Sequence, residues 1–567
     1  MRSRSPRPAL ACISALLLFP AGAAAREEPV VVTGAEVPPL AGAAPGGVVA
    51  FAYDAERSDW TQVPVQVDER KFVDFGRVPA TNSTPGSEGT VYGGTTIGHG
   101  ALQYADPATW VGPDPDSLLD ADDEIALMAG DAGDRAASAG LPAGVVAAGA
   151  TELQLADPLG EPDRFVYLFE ASGGLPQGAG RDYVDYDFRL VSGDYRTTYK
   201  RRTGPNPETS RITTGAYEAG FSDRWFLDHL AIRAGGASGA EISDGFKFSF
   251  GPTSCGRSEA TFNGATDNYG FTEQGEGAFV ANLDGPVRAI RSYVGANSGP
   301  LTERTHAFYH DRYTIVTDLR VHAVPGPLTY HDLAAGGIGM TYLNSANRGG
   351  VAVDGNPDAI SPAVAAWHLW TGAQGSLLST DRTRSSFADA LMAGASTWYL
   401  DDSTPAPNLQ CWGDLQAYGQ AGLRSTTGMP NTDPSIGGTD DLRSTTTDVV
   451  SGPGMTAERA DRITAEIDAP LTVGARGFAP DTEAPRTRIA KRPDGRLETP
   501  RARYRFASNE PKSRFECRLD RKRWKRCGRK PVFRRLDGGG HRLRVRAVDP
   551  AGNVDQTPAK DRFLVER

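Results

Sequence analysis

Past residue 25 the chain lacks any apolar run near the ~18 residues that a membrane helix needs, so no membrane span is expected. It lacks the Gly-x-Ser-x-Gly elbow and the His-Glu-x-x-His zinc motif, and serine-hydrolase and zinc-peptidase chemistry lose weight accordingly. Helical periodicity is nearly missing: between residues 26 and 480 only Thr456–Asp468 has it, with a threonine as cap. Cysteine is scarce, five among 567 residues. Glycine and proline are plentiful, 66 and 40 of them, about 19% of the chain against an average near 12%, which favours short strands and many turns. At this length the usual ~100–200 residues per domain gives an expectation of two to four domains.

The N-terminus carries Arg2, Arg4 and Arg7, then an apolar run from Ala9 to Phe19, then Pro20, Gly22 and Ala23-Ala24-Ala25. This is the pattern of a secretory signal cleaved after Ala25, and it predicts a secreted, extracellular protein. Cys12 leaves with the signal, and the remaining four cysteines suit two disulfides in an oxidising compartment. Three pairings are open; Cys517–Cys527 with Cys255–Cys411 keeps each pair inside one expected domain.

Charge divides the chain. Residues 481–567 hold 26 Lys and Arg against 12 Asp and Glu, whereas residues 26–480 carry a net charge of −27. The proline-bearing segment 477–485 has linker chemistry at that boundary. Beyond it, Arg503–Ala507, Arg514–Leu519, Arg542–Val548 and Asp561–Val565 read as short strands, and Arg542–Val548 alternates cationic and apolar side chains with period two. Phe515-Glu516-Cys517-Arg518-Leu519-Asp520, Trp524, Cys527, His541 and Val545–Asp555, which contains Asp549-Pro550-Ala551-Gly552-Asn553, resemble a bacterial Ig-like repeat of secreted proteins. The resemblance spans 483–567. It implies a small β-sandwich with its two cysteines cross-linking neighbouring strands, and an accessory module without chemistry of its own. This copy is more basic than the usual pattern.

In the acidic part, strand-like runs dominate: Phe165–Glu170, Tyr183–Ser192, Gly245–Phe250, Val287–Val294, Arg312–Val324, Val351–Asp354 and Ser396–Leu400, with turn signals at Asp284-Gly285 and Asp354-Gly355. The expected fold class is all-β: an antiparallel β-sandwich main body, in two lobes, plus a small C-terminal Ig-like β-sandwich. The expected divisions are a signal at 1–25, an N-terminal β lobe at 26–150, a large sandwich at 151–478, a linker at 479–485 and the Ig-like domain at 486–567. The Gly-, Ala- and Pro-rich stretch 130–149 sets the first of these boundaries. The phrases Val63–Glu69 and Gly277–Asn282 resemble those of an uncharacterised secreted bacterial family, which implies no activity.

The densest chemistry lies in Thr302–Asp332, where four of the eight histidines gather with tyrosines and arginines. On paired strands, Arg320 could neutralise a uronate carboxylate while Tyr309 or His322 moves the proton α to it, a β-elimination on an acidic glycan. His306 and His310, with Trp412 and Asp414 from an aromatic and acidic run, are the expected substrate contacts. Asp116, Asp120, Asp122 and Glu124, in a run of six carboxylates, are candidate calcium ligands, although no register satisfies an EF-hand loop. Two functions stand: a polysaccharide lyase or glycoside hydrolase, and a non-catalytic cell-envelope or glycan-binding protein. Secretion argues against nucleic acid as the partner of the basic domain and favours an acidic polysaccharide or cell-envelope polymer.

Overall fold

The computed structural model describes residues 26–80, 100–137, 139–199, 208–222, 227–250, 277–295, 301–321, 323–324, 326–404, 416–434, 437–438 and 441–566. The expected signal 1–25, and with it Cys255, His322, Cys411, Trp412 and Asp414, lie outside them. Among the described residues strand takes 48% and helix 9%, and every ladder but one short pair is antiparallel, so the chain is all-β.

The body is built around a nine-stranded sheet, in the order Gly277–Leu283, Ala289–Gly295, Glu303–Phe308, Arg312–Leu319, Leu442–Ser451, Gly375–Arg384, His368–Gly372, Thr341–Asn344, Asn347–Ala352. β-Branched and aromatic residues suit these strands, and alternation decides which side chains go inward. Two four-stranded sheets cover one face: Val184–Asp187 through His229–Ile232, and Ser243–Phe250 with Pro327–Leu333, Ala417–Ser425 and Ala395–Asp402. Ile212, Tyr217, Phe246, Leu333, Tyr313, Trp370 and Val450 form one core between them.

The expected helix packs on the opposite face. It runs Ala457–Asp468, Thr456 Oγ1 accepts from the Arg459 amide at 3.3 Å, and Ala460 and Ile463 meet Trp367, Leu369, Leu378 and Val449. The Arg26 guanidinium donates to the carbonyls of Glu466 and Ala469, a cation placed where helix carbonyls point.

The division expected at residue 150 does not hold. One five-stranded sheet runs Thr472–Gly477, Thr151–Ala156, Arg164–Glu170, Val48–Asp54, Asp59–Val63, joining strands from both sides of that boundary. It packs on a three-stranded sheet of Pro29–Thr33, Glu124–Met128 and Gln66–Asp68 through Val30, Ile125, Leu127, Leu153 and Val166. The stretch 130–149 separates nothing: Gly133 exchanges backbone hydrogen bonds with Phe165 at 2.9 and 3.0 Å.

Residues 487–565 have a core of their own, including Tyr504, Phe506, Phe515, Leu543, Val545 and Phe563. Five strands, Arg496–Leu497, Ala559–Val565, Gly539–Val548, Arg514–Leu519 and Lys525–Cys527, form one sheet, and two shorter ladders complete the domain. A disulfide joins Cys517 to Cys527 across neighbouring strands of that sheet. Among the described residues no helix is long and apolar enough to cross a membrane.

Candidate functional site

Glu303–Phe308 and Arg312–Leu319 pair as expected, Pro327–Leu333 joins another sheet, and among the described residues the candidate side chains do not converge. Tyr309 packs with Ala126, Met128 and Val287 on the side of the three-stranded sheet, where its hydroxyl lies 3.4 Å from Arg288. Arg320 is 4% exposed, sits 3.8–4.0 Å from carboxylates of Glu303, Asp318 and Asp441, and donates to the Leu301 carbonyl. Its charge is answered inside the protein, which leaves it no uronate to bind. His306 lies on the other face of the large sheet, fully buried, edge-on to Phe221 at 5.0 Å. Burial, with Arg291 and Arg304 nearby, holds it well below the ordinary histidine range, so it is neutral. His310 stacks edge-on to Tyr183 at 5.5 Å. Among the described residues the expected elimination groups do not meet: Tyr309 and Arg320 fall at opposite ends of the Glu303–Phe308 and Arg312–Leu319 pair, and period two sends His306 to the other face.

The acidic run is also divided. Asp120, Asp122 and Asp123 bring carboxylate oxygens within 4.8 Å of one another. Asp122 is pushed up to about 6, first by its hydrogen bond with Asp120 and then by burial, so this pair shares a proton just below neutral pH. Glu124 is not a free ligand: Arg70 and Arg288 pair with it and the Tyr104 hydroxyl donates to it at 2.8 Å. Asp116 lies exposed on the preceding turn. The clustered carboxylates offer one oxygen each, half or fewer of the six to eight that calcium takes.

An ionisable cluster that the sequence did not reveal lies between the large sheet and its cover. On the inward side of Leu442–Ser451 stand Ser444, Thr446 and Asp448, and register places Asp381 opposite Thr446 and Ser379 opposite Asp448. From the cover, His331 Nε2 reaches Asp448 Oδ1 at 3.1 Å. Burial pulls His331 down, but Asp448 more than offsets this and holds it above its ordinary value. Burial pushes Asp381 up to about 6 although Thr446 donates to it. Burial, with His331 nearby, pushes His368 down to about 3; its Nδ1 lies 2.8 Å from the Tyr342 hydroxyl. Asp448 Oδ2 and Ser379 Oγ are buried without a hydrogen-bond partner among the described residues. A small cleft, with room of about 30 Å³, opens between the two sheets at Thr329, Thr383 and Ser444. Each of these is two residues along its strand from His331, Asp381 or Thr446, so the cleft ends one row of side chains short of them. A carboxyl group titrating near 6 beside a His–Asp pair has the equipment for general acid–base chemistry. Ser444, Thr446 and Asp448 alternate with Arg443, Thr445 and Thr447, so both faces of that strand are polar and alternation gave no hint of which is covered.

The other concentration of charge is on the C-terminal sheet. Apolar Phe515, Cys517, Leu543, Val545 and Phe563 point into the domain core, so the residues between them point out. Register then places Arg518 opposite Arg544, Arg544 opposite Lys560, and Arg542 opposite Arg562. None of these five forms an ion pair among the described residues, while Arg546 beside them pairs with Glu516 at 2.7 Å and covers the Trp524 ring at 4.5 Å.

No family profile matches the chain, and no curated protein matches it. Among solved structures it is similar to the glycoside hydrolase domain of Endo-D from Streptococcus pneumoniae R6, at 10% identity and TM-score 0.12, over 56% of this chain and 43% of that one. It is also similar to an extracellular domain assigned to a hybrid two component system from B. thetaiotaomicron, at 10% identity and TM-score 0.15, over 71% of this chain and 59% of that one. The chain thus spans about half the length of these structures, and such scores establish no common fold.

Proposed function

We propose that this is a secreted, non-catalytic glycan-binding protein of the cell envelope or matrix, whose basic C-terminal domain holds an acidic polymer. The observation that carries it is the charge partition: 26 cations against 12 acids in residues 481–567, on a body of opposite sign. Most of those cations are exposed. The two parts meet through contacts that leave them so: the Lys512 ammonium donates to the Ala55 carbonyl, and the Asp481 amide to the Ala139 carbonyl. Secretion is supported by the N-terminal arginines and apolar run, and an accessory Ig-like module by the motif around Cys517 and Asn553. The dispersal of Tyr309, Arg320 and His306 favours binding over elimination. Co-sedimentation of the intact mature protein with polygalacturonate and hyaluronate, against neutral dextran, tests the reading. Retention on the acidic polymers that falls as salt rises is expected; equal retention on dextran, or none on any polymer, refutes it.

A second reading, glycoside hydrolysis in the body, is favoured by Asp381 with its raised proton affinity beside His331 and Asp448. Release of reducing ends from an acidic polysaccharide, abolished by Asp381→Asn with the fold intact, would establish it. No release from a broad panel of glycans would end it.

A further inference from the structure

Resting on that binding reading, we propose that the outward face of the five-stranded C-terminal sheet is the binding site, and that its ligand is a polysaccharide bearing repeated uronate carboxylates. Like charges directly opposite on neighbouring strands destabilise a sheet, and this face has three such pairs joined into two rows: Arg518, Arg544 and Lys560 in one, Arg542 and Arg562 in the next. In the body, cations are answered: Arg288 by Asp68 and Glu124, Arg443 by Asp318, Arg348 by Asp461. The shorter ladders of the C-terminal domain hold single opposed pairs, Lys491 with Arg505 and Arg501 with Arg534, whereas this face joins its pairs into rows. A row of opposed cations left unanswered on a regular sheet is a local conflict of the sort that functional sites retain.

Geometry selects the ligand. Neighbouring strands stand about 4.8 Å apart and successive outward residues on one strand about 6.8 Å apart, so the face presents a lattice of positive groups on a rigid, flat surface. Four of the five are arginines, whose planar fork takes a carboxylate through two parallel hydrogen bonds. Next to the rows, Trp524 adds a half-buried aromatic surface held by Arg546. Indole carbon against the C–H face of a sugar ring suits a charged saccharide better than an isolated anion. Arg542, Arg544, Lys560 and Arg562 are exposed, so the acidic body does not already occupy the site.

The test compares two triple variants of the full mature chain with the same loss of charge. One is Arg518→Gln, Arg544→Gln and Lys560→Gln on the face. The other is Arg488→Gln, Arg503→Gln and Arg535→Gln, exposed residues of the same domain away from that face, none of them opposite another cation on a ladder. Affinity for polygalacturonate is measured across a salt series, with inorganic polyphosphate and double-stranded DNA as competing probes. The face variant is expected to bind about tenfold or more weakly, with a shallower salt dependence, while the control stays within about twofold of the parent. Neutralising opposed like charges should leave the thermal midpoint of the C-terminal domain unchanged or raised, which separates loss of a site from loss of a fold. Equal losses in both variants would show that diffuse charge binds and would overturn the face while sparing the binding reading. No binding by the parent would overturn the reading itself. Polyphosphate or DNA outcompeting polygalacturonate at equal salt would overturn the ligand class.

Discussion

The inner face of the large sheet and the outer face of the C-terminal sheet are both rich in charge, and they treat it in opposite ways. Inside the body, ionised groups come with partners: Arg291 with Glu208, His331 with Asp448, and on the reverse face Arg288 with Asp68 and Glu124. On the C-terminal sheet, cations stand opposite cations in water. Burying a charge is costly unless it is paired, so partners in the interior are a condition of folding. Water removes that condition at the surface, and the like-charged rows are compatible with the fold without being required by it. Density of charged residues alone therefore marks no site. What separates the two regions is whether the charge is answered.

The largest expected effect tests the paired side of this contrast. Arg288→Leu leaves Asp68 and Glu124 facing each other with one buried cation removed, and should cost about 3–5 kcal/mol in urea unfolding of the body. Arg544→Leu, on the unpaired side, should change stability by about 0.5 kcal/mol or less. If the two costs are similar, the contrast fails.

Next in size is the disulfide. Replacing Cys517 and Cys527 by serine opens a loop of sequence separation 10 and should remove about 3 kcal/mol, in the chain-entropy account, from the C-terminal domain alone. Calorimetry with two resolved transitions should show only the one from that domain moving.

Asp381 provides the pH test. Its carboxyl titrates near 6 in the folded chain, above the ~3.9 of an unfolded aspartate. Between those values the folded chain keeps a proton that the unfolded chain has released, so this group lowers stability as pH rises from about 4 to 6, by up to about 2–3 kcal/mol. His331, Asp448 and Thr446 face it, and Asp381→Asn leaves them in place. The variant should gain stability over the parent at pH 7.5 and lose that advantage at pH 4; an advantage independent of pH would mean that Asp381 is not protonated by burial.

Two smaller effects follow. Thr456→Ala removes the helix cap and should cost about 1 kcal/mol in the same unfolding experiment. Lys560→Glu turns one like-charged pair with Arg544 into an opposite one and should raise the stability of the C-terminal domain by about 0.2–1 kcal/mol. The same change should weaken polymer binding, sharpening the distinction between a face made for stability and one kept for a ligand.

Some elements were legible because their signal is local. Arg514–Leu519 has the bounds that alternation predicts, and the helix follows from Thr456 and the spacing of Ala460 and Ile463. Cys517 and Cys527 report their own pairing through proximity, at a sequence separation of 10. The lobe boundary was not legible. Thr472–Gly477 pairs with Thr151–Ala156 across 316 residues, and nothing in the glycine-rich stretch 130–149 announces that the chain will return there. The histidine cluster of Thr302–Asp332 misled for a related reason: strand alternation splits consecutive polar residues between two faces, and each face has a different neighbour.

By itself the sequence determined the fold class, the location of the helix and the partition of charge between the two parts of the chain. These depend on period, composition and count, which are local or additive properties. Tertiary structure alone decided that Arg320 is neutralised within the protein, that Asp448 is enclosed, and that Arg544 and Lys560 line up in the open with Arg518 half-buried beside them. Alternation says that successive side chains point to opposite sides, but which side is covered depends on strands that arrive from elsewhere in the chain. Covering is what sets the energetic cost of a charge.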